Sequence, residues 1–338
     1  MVKIILDAFG GDNAPAEIVK GAIIAVNKNS EIHIVLSGKE ELIKEELSKY
    51  KYNAEQISVL NASEVITNDE SPTMAIKTKK DSSLVKAFDL AKEDESVVGV
   101  ISAGSTGAVL TGGFLKLGRI KGIMRPALVP VFSTITGSLV CICDAGANMD
   151  CKPEYLDQFA IMASEYMCVL GVKNPRVALL NVGTEDHKGD AKAKESFELL
   201  KNNKHINFVG NMEARDLMSG NYDVVVADGF AGNVLLKSTE GAMKGLLNVL
   251  KTEIKAGFWS KIGALFMKKT FSNIKAKFDY SKQGGAVLLG CQKLLVKAHG
   301  SSKADSICAC IEQVFAMNKG ELIKNISKGL EAVSSEDK

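Results

Sequence analysis

The sequence predicts an α/β protein: a three-layer α/β/α sandwich in which helices cover both faces of a mostly parallel sheet. Two observations indicate this class. Short runs rich in Val, Ile and Leu alternate along the chain with longer amphipathic segments. The apolar runs are nearly continuous, which is typical of strands that are buried on both faces. No internal repeat or low-complexity linker interrupts this alternation, so we expect one large domain over residues 1–338.

The apolar runs and their boundaries define the predicted elements in chain order. A first strand covers residues 2–6 and ends at Asp7, and Pro15 opens the next helix, because the first helical turn does not need proline's missing N–H. A hairpin across Thr136 and Gly137 joins RPALVPVFS to SLVCICD. A long amphipathic helix follows in KPEYLDQFAIMASEYMCVLG. The remaining strands are predicted in IHIVLSG, QISVLN, SVVGVIS, PRVALLNVG, HINFVGN and YDVVVADG.

The composition argues against several classes of protein. Apolar residues make up 46% of the chain, which is ordinary for a soluble globular protein, and a net charge of +2 gives no reason to expect a nucleic-acid partner. The seven cysteines contain no CxxC pair, so we expect reduced cytosolic thiols rather than a metal site or a disulfide framework. No apolar run approaches the ~18 residues that a membrane span needs. We therefore expect a cytoplasmic protein that at most lies on a membrane surface.

Five predicted strand ends lead into polar loops that are rich in glycine. The loops combine glycine with Asn, Asp, Ser or Thr, and several lead into helix N-termini, where unpaired backbone N–H groups can bind anions. In an α/β sheet, ligands bind beyond the carboxyl ends of the strands. We therefore expect a polar cleft that can hold phosphate and stabilise an oxyanion. The five loops are DAFGGDNAP, SAGSTGA, DAGANMDCKP, NVGTEDHKGD and DGFAGN.

Conventional catalytic signatures are absent from the sequence. It contains no GxSxG elbow, no HExxH and no cysteine–histidine pairing that spacing reveals, and the glycine turn after the first strand matches neither GxGxxG nor the P-loop. Lys188 is a notable cation because it precedes a glycine in a strand-end loop, although lysines are usually ordinary surface residues. His187 and His299 also lie in loops and are weaker candidates.

One segment departs from the alternation of strands and helices. Residues 238–280 are predicted to be helical without an intervening strand, and residues 251–280 contain seven lysines but only two acidic residues. A basic amphipathic stretch with large apolar residues can lie in a membrane interface. Alternatively, its apolar stripe packs in the protein's own core or against a second subunit, and both interpretations stay open. The apolar residues of the predicted membrane tip are Phe258, Trp259, Leu265 and Phe266.

Taken together, the motifs resemble those of the bacterial phosphate acyltransferase family. The resemblance covers nearly the whole chain in order, with Phe9 standing where the family usually has methionine and Ser105 where it usually has asparagine. It implies a fold similar to isocitrate and isopropylmalate dehydrogenases and to phosphotransacetylases, a homodimer, and peripheral association with the membrane. The motifs are DAFGGDNAP, ITNDESPTMAIKTKKDSS, SAGSTGA, GRIKGIMRPAL, DAGANMDCKPEYLDQFAIMAS, NPRVALLNVG, DGFAGNVLLKSTEG, DYSKQGGAVLLG and KAHGSS.

The resemblance also implies a reaction, partners and site residues. The protein would transfer a fatty acyl group reversibly from acyl-acyl carrier protein to inorganic phosphate, giving acyl phosphate for phosphatidic acid and phospholipid synthesis. Further implied partners are an anionic membrane surface and a membrane glycerol-3-phosphate acyltransferase downstream; no nucleic acid, cofactor or metal is expected. Lys188 is assigned to phosphate or developing negative charge, and Asn233 to polarising the carbonyl or holding phosphate. Phosphate and acyl binding are assigned to Asp7, Gly10, Gly11, Asp12, Ser102, Gly104, Ser105, Thr106, Gly107, Asn148 and Gly229.

Two other function classes stay open. A metal- and NAD-dependent dehydrogenase of the related fold would need a cluster of metal-binding aspartates and an adenosine-binding loop, and neither is recognisable in the sequence. A cofactor-binding assay would distinguish this class. A non-catalytic membrane scaffold would account for the basic segment but not for the five polar loops, and an assay of phosphate binding would distinguish it.

Overall fold

A computed structural model of the protein describes residues 1–271 and 284–336. Strands and helices alternate along most of the described chain. The strands are β1 (Val2–Asp7), β2 (Ile32–Gly38), β3 (Ile57–Asn61), β4 (Val97–Ser102), β5 (Ala127–Val129), β6 (Val131–Ser133), β7 (Leu139–Cys143), β8 (Arg176–Asn181), β9 (Asn207–Glu213), β10 (Val224–Val226), β11 (Ala286–Leu289) and β12 (Leu294–Lys297). The helices are α1 (Ala16–Lys28), α2 (Glu40–Leu47), α3 (Pro72–Thr78), α4 (Ser83–Glu93), α5 (Thr106–Gly112), α6 (Pro153–Val169), α7 (Ala191–Asn202), α8 (Gly229–Ala256), α9 (Phe258–Phe266), α10 (Ala304–Lys319) and α11 (Leu322–Glu336).

The strands form two sheets, whereas the sequence indicated one. The larger sheet has the order β3-β2-β1-β4-β12-β11-β5, and the smaller has the order β6-β7-β10-β8-β9. Most neighbouring strands are parallel, but β11 is antiparallel to both of its neighbours and β6 is antiparallel to β7. The predicted class, an α/β fold with mostly parallel strands covered by helices, is confirmed.

The chain crosses from one sheet to the other at Pro130. β5 and β6 come from a single predicted run, RPALVPVFS, yet β5 pairs with β11 in the larger sheet and β6 pairs with β7 in the smaller. Proline has no N–H to donate to a strand ladder, so pairing is interrupted there. The predicted hairpin is confirmed for β6 and β7. At its turn, Gly137 adopts a φ of 89° and donates its N–H to the carbonyl oxygen of Thr134 at 3.0 Å.

β11 and β12 were not predicted from the sequence. Four-residue strands are too short to show a clear period, so the apolar residues around them gave no usable signal. β12 nevertheless lies between β4 and β11 and runs parallel to β4. Its last residue, Lys297, pairs with Ser102 at the end of β4. The loop after β12 therefore emerges beside the loop after β4.

A continuous hydrophobic core joins the two sheets. Its largest cluster includes Ile4 from the larger sheet and Cys141 and Val224 from the smaller, all fully buried. Tyr166 of α6 lies in the same cluster and accepts a hydrogen bond from Nε2 of Gln313 in α10 at 2.6 Å. Burial of apolar surface is the dominant favourable contribution to folding. The shared core thus holds the strand ends of both sheets in a fixed relation.

The predicted helical segment is confirmed as far as the structure describes it. α8 is 28 residues long, and its buried residues, from Gly229 to Leu236, lie in its first two turns. α9 follows after Gly257 and exposes Trp259 and Phe266, which are 80% and 85% exposed. Of the described helices, none combines the length and apolar character needed to cross a bilayer. The side chains of Phe258 and Lys261 and all of residues 272–283, including Lys275 and Lys277, lie outside the described residues.

Candidate active site

The ends of β1 and β4 form a compact polar junction. Ser102 donates a hydrogen bond from Oγ to Asp7 Oδ2 at 2.6 Å, and Gly104 donates its backbone N–H to Ser102 Oγ at 3.0 Å. Asp7 is buried, and burial raises the pKa of its carboxyl although the hydrogen bond from Ser102 opposes the shift. A Cβ at Gly10 would come within 2.6 Å of Gly104 N, so only glycine allows this close approach. Four predicted site residues therefore meet here, and they fix the two loops against each other.

The loop after β1 also binds the loop after β12. Asp12 donates its N–H to the carbonyl oxygen of Gly300 at 2.8 Å. Asn13 donates from Nδ2 to the carbonyl oxygens of Ser301 and Ser302, each at 3.2 Å. Gly11 has a φ of 95°, in the region that favours glycine. Gly11 and Asp12, both predicted site residues, thus connect strand ends that are distant in sequence.

The start of α5 contains three further predicted residues. The Ser105 carbonyl oxygen accepts the N–H of Val109 at 2.9 Å in the first turn of the helix. Gly107 packs against the start of α3, where an added Cβ would lie 2.6 Å from Pro72 Cγ. Thr106 is the member of this group that lines the cavity described below.

In the smaller sheet, Asp144 organises the loop after β7, and the sequence analysis did not single it out. Its carboxylate is fully buried. Oδ1 accepts the N–H groups of Leu128, Gly146 and Ala147 at 2.9–3.1 Å, and Oδ2 accepts the N–H and Nδ2 of Asn148 at 2.6 and 3.0 Å. Burial raises the pKa of this carboxyl, with the hydrogen bonds acting against it. Asp144 could have been identified from the sequence because it is an acidic residue directly after a predicted buried strand.

We expect Asp144→Ala to destabilise the fold strongly. The substitution leaves several buried N–H donors without an acceptor, and each such donor costs ~1–3 kcal/mol. The free energy of unfolding, measured by urea denaturation, should fall by at least ~3 kcal/mol. Asp150→Ala is the matched control, because Asp150 lies in the same loop with its side chain 93% exposed. Equal stability of the two variants would contradict the organising role of Asp144.

Asp144 and Asn148 also determine where α8 begins. Gly229 donates its N–H to the carbonyl oxygen of Asn148 at 2.7 Å, and a Cβ at Gly232 would overlap the backbone oxygen of Asp144. Asp228 caps the helix by accepting the N–H of Ala231 at 2.8 Å. These contacts press the first turn of α8 onto the β7 loop. The predicted residues Asn148 and Gly229 therefore act at this contact.

A cavity of about 210 Å³ lies between the strand ends of the two sheets. Its lining combines apolar residues, which we call the apolar wall, with polar and charged residues of α5, α8, the end of β12 and the loop after it, which we call the rim. Ligand sites typically combine an apolar lining with a few polar groups that fix orientation. The apolar wall includes Leu128, Pro130, Val131, Phe132, Ala145, Leu236 and Ala286, and the rim includes Thr106, Asn233, Lys237, Glu240, Lys297 and His299.

Asn233 enters this cavity because of the position of α8. Its amide lies against Gly146, where an added Cβ would be 3.7 Å from Asn233 Cγ. No side chain or backbone group in residues 1–271 or 284–336 hydrogen-bonds to the Asn233 amide. A half-buried amide ordinarily has a partner. The amide is therefore available to a ligand in the cavity.

Lys188 lies on a neighbouring loop, between β8 and α7, and does not line this cavity. Its Nζ is 3.8 Å from Glu185 Oε1. Lys192, which the sequence analysis missed, joins this loop to the start of α8: its Nζ donates to Asp228 Oδ2 at 2.7 Å and to Asp150 Oδ1 at 3.2 Å. The two predicted catalytic residues thus follow neighbouring strands of the smaller sheet, Lys188 in the loop after β8 and Asn233 in helix α8 after β10, and do not share one cavity wall.

Comparison with known proteins identifies the family. A family model described as "Fatty acid synthesis protein" matches residues 2–325. Phosphate acyltransferase from Dictyoglomus turgidum is 48% identical over 334 residues, covering 98% of this chain and 99% of the relative. Phosphate acyltransferase from Clostridium tetani is 47% identical over 330 residues, covering 97% and 98%. The chain belongs to the phosphate acyltransferase family. It is accordingly an acyltransferase, and the transfer that it catalyses involves phosphate.

The fold of the chain also resembles those of enzymes with other activities. A phosphotransacetylase from Streptococcus pyogenes superimposes with a TM-score of 0.61 at 17% identity, covering 94% of each chain. A 4-hydroxythreonine-4-phosphate dehydrogenase from Klebsiella pneumoniae gives a TM-score of 0.51 at 14% identity, covering 93% of this chain and 98% of that one. At these identities the likeness shows the fold alone. It confirms that the fold is shared by phosphotransacetylases and dehydrogenases.

Two lysines that were not singled out from the sequence, Lys237 and Lys297, line the cavity. Lys237 is paired with Glu240 at 3.1 Å, whereas Lys297 ends β12 and lines the cavity together with Asn233. The position of Lys297 directly before AHGSS could have identified it from the sequence, but the strand that ends at Lys297 was not recognised.

The described residues include no group of three or more His, Cys, Asp or Glu side chains arranged to hold a metal ion.

Proposed function

We propose that the protein transfers a fatty acyl group from acyl-acyl carrier protein to inorganic phosphate, reversibly, and so makes acyl phosphate for phosphatidic acid and phospholipid synthesis. The observation that carries this proposal is the cavity between the two sheets. It combines an apolar wall, suited to the first carbons of an acyl chain, with an unpaired amide at Asn233 and a cation at Lys297. Membership in the phosphate acyltransferase family supports the acyl transfer itself.

The reaction depends more on positioning phosphate against the thioester than on activating the nucleophile. A phosphate oxygen attacks the thioester carbonyl carbon, the carbonyl oxygen becomes an oxyanion, and the C–S bond then breaks to release the thiolate, which takes up a proton. Phosphate is already an anionic nucleophile near neutral pH, so this route uses no serine–histidine or cysteine–histidine pair. Alignment of bound reactants can contribute ~7 kcal/mol or more, and a donor to the oxyanion ~3–4 kcal/mol.

We assign the roles of the site residues accordingly. The Asn233 amide donates an N–H to the carbonyl oxygen as negative charge develops there. Lys188 approaches phosphate or the developing charge from the loop before α7. Asp7, Asp12 and Asn148 hold loops in place, which their hydrogen bonds to neighbouring loops support. The apolar wall excludes water, which would otherwise hydrolyse the product.

The homodimer that we propose uses the exposed face of α8. This helix presents large apolar side chains to solvent, and Phe230 and Val234, one turn apart, are 65% and 51% exposed. Leu246, Val249 and Leu250 continue the exposed apolar residues further along the helix. Large apolar side chains exposed in number on one helix can mark an interaction site. A second subunit that packs on α8 would bury it.

Peripheral membrane association is the last part of the proposal. α9 exposes Trp259, Leu265 and Phe266, and exposed lysines flank it in sequence at Lys255, Lys268 and Lys269. Such a helix can insert its apolar side chains shallowly while the lysines bind anionic headgroups. Acyl phosphate is amphiphilic and labile, so release at the bilayer would deliver it directly to a membrane glycerol-3-phosphate acyltransferase.

The test is direct formation of the product. Purified protein is mixed with acyl-acyl carrier protein and ³²P-labelled phosphate in the presence of a chelator, and we expect labelled acyl phosphate that hydroxylamine converts to a hydroxamate. Adding unlabelled acyl phosphate and free carrier protein should regenerate the acyl-carrier thioester. An acyl-coenzyme A donor run in parallel identifies the donor. Failure to form product from the carrier-protein thioester would overturn the proposed donor, and activity only with added divalent ion would overturn the metal-free route.

A further inference from the structure

We propose that Lys297 binds the attacking inorganic phosphate. This inference deepens the proposed function and rests on it. Lys297 stands at the carboxyl end of β12, where the loops after β1 and β4 converge, and its side chain lines the cavity that contains the Asn233 amide.

The hydrogen bonds of Lys297 leave capacity for a ligand. Its Nζ donates to the backbone oxygen of Ala103 at 3.5 Å and to that of Ala298. An ammonium carries three N–H donors, so one remains beyond these two bonds. Both carbonyl oxygens are neutral, and therefore they orient the ammonium without cancelling its charge.

No carboxylate neutralises this cation within the described residues. Asp7 and Asp12 influence it only through their charges over longer distances, and Glu240 on the cavity rim is paired with Lys237 at 3.1 Å. A half-buried charge without a counter-ion is unfavourable. Burial accordingly lowers the pKa of Lys297 to about 8. A phosphate dianion in the cavity supplies the missing negative charge and restores the charged form of the lysine.

The location of Lys297 fits the attacking group rather than the acyl chain. The apolar wall comes mainly from β5, β6 and α8, whereas Lys297, Thr106 and His299 contribute polar groups to the same lining. Phosphate at Lys297 and a carbonyl at Asn233 would share one cavity of about 210 Å³, which brings nucleophile and electrophile together.

The pH dependence follows from the charged groups around Lys297. They are Asp7 and Asp12 near β1, Lys237 and Glu240 on α8, His299 on the same loop and Cys310 on α10. Burial raises the pKa of Cys310 to about 12 and lowers that of His299, so neither thiol nor imidazole changes its charge between pH 8 and 9.5. Lys297 loses its charge as pH rises through about 8. Phosphate binding should therefore weaken ~10-fold per pH unit above that value.

The experiment compares three variants of the full-length protein by calorimetric titration with inorganic phosphate and by steady-state kinetics. Lys297→Met should raise the Kd and the KM for phosphate ~10- to 100-fold while leaving the KM for the acyl donor within ~3-fold. Lys293→Met is the matched control. Lys293, just before β12 at the other end of the strand, also donates to backbone carbonyls, and burial also lowers the pKa of its amine, but it does not line this cavity. Its removal should leave phosphate binding unchanged.

Lys297→Arg keeps the positive charge at every pH tested. Its phosphate affinity should therefore stay flat between pH 8 and 9.5, and above pH 9 it should bind phosphate more tightly than the unmodified protein does. Circular dichroism shows whether Lys297→Met folds. If it does not, the comparison of phosphate affinity between Lys297→Arg and the unmodified protein above pH 9 still tests the role of Lys297. Identical pH profiles for arginine and lysine, or a lower kcat for Lys297→Met with unchanged phosphate Kd, would overturn the proposal in favour of loop positioning.

The outcomes separate this inference from the proposed function. If the unmodified protein makes labelled acyl phosphate and the Lys297 variants bind phosphate normally, the role of Lys297 is wrong and the proposed function stands. If phosphate binding depends on Lys297 but no acyl phosphate forms from acyl-acyl carrier protein, the phosphate site stands and the proposed donor is wrong.

Discussion

Asn233→Ala is expected to lower turnover at least ~100-fold without unfolding the protein. The substitution removes the amide that we place against the developing oxyanion, and loss of one such donor typically costs 10²–10³-fold in kcat. The amide has no hydrogen-bond partner within the described chain, so its removal leaves no buried group unsatisfied. The fold should therefore be preserved, and the Kd for phosphate should change less than kcat does.

Lys188→Ala is expected to lower turnover by a similar factor, because a cation near transferring phosphate stabilises charge that water would otherwise have to solvate. Lys194→Ala and Asn248→Ala are the matched controls. Lys194 is an exposed lysine of the adjoining helix α7, and Asn248 is an exposed asparagine of α8, the helix that carries Asn233. Both controls should retain turnover within ~2-fold. Folded Lys188 or Asn233 variants with near-normal turnover would remove that residue from the mechanism.

Replacing Trp259 and Phe266 together by aspartate is expected to abolish binding to anionic vesicles. These side chains are 80% and 85% exposed on α9. Their insertion into the headgroup region removes apolar surface from water, and each nearby lysine adds ~1 kcal/mol of attraction to anionic lipid. Binding should be measured by sedimentation with phosphatidylglycerol-containing vesicles, and it should weaken as salt is raised because the charges are screened.

Fluorescence provides a second readout of the same event. Trp259 is the only tryptophan of the chain, so a blue shift on addition of vesicles reports that this indole leaves water. The matched control is Ser260→Asp with Thr270→Asp, which adds the same charge at exposed positions but removes no large apolar side chain. It should weaken binding only partly. Acyl transfer measured without vesicles should be unchanged in both double variants.

Two results would contradict the membrane prediction. If the Trp259 and Phe266 double variant unfolds, or sediments as a monomer where the unmodified protein is a dimer, α9 packs within the protein or between subunits. The apolar stripe would then be core rather than membrane tip. Retained vesicle binding by a folded double variant would place the membrane contact elsewhere on the chain.

The sequence alone determined the strands, helices and loops that depend on residues close together in the chain. Continuous apolar runs predict strands buried on both faces, and glycine with Asn, Asp or Ser after such runs predicts polar strand-end loops; both are properties of a few consecutive residues. The first strand, the hairpin at Gly137 and the helical run through α8 were therefore foreseen. The motif set also indicated the family.

Only the tertiary structure decided which loops meet. The segment RPALVPVFS is predicted as one strand from its sequence. In the structure Pro130 divides it into β5 and β6, because β5 pairs with β11 in one sheet and β6 pairs with β7 in the other. The four-residue strand β12 has little signal of its own, but its insertion beside β4 brings Lys297 into the cavity with Thr106 and Asn233. Lys188, a stronger candidate by sequence, lies on the adjacent loop instead. Contacts between residues separated by a hundred positions or more depend on the packing of the whole core, and no local pattern in the sequence encodes them.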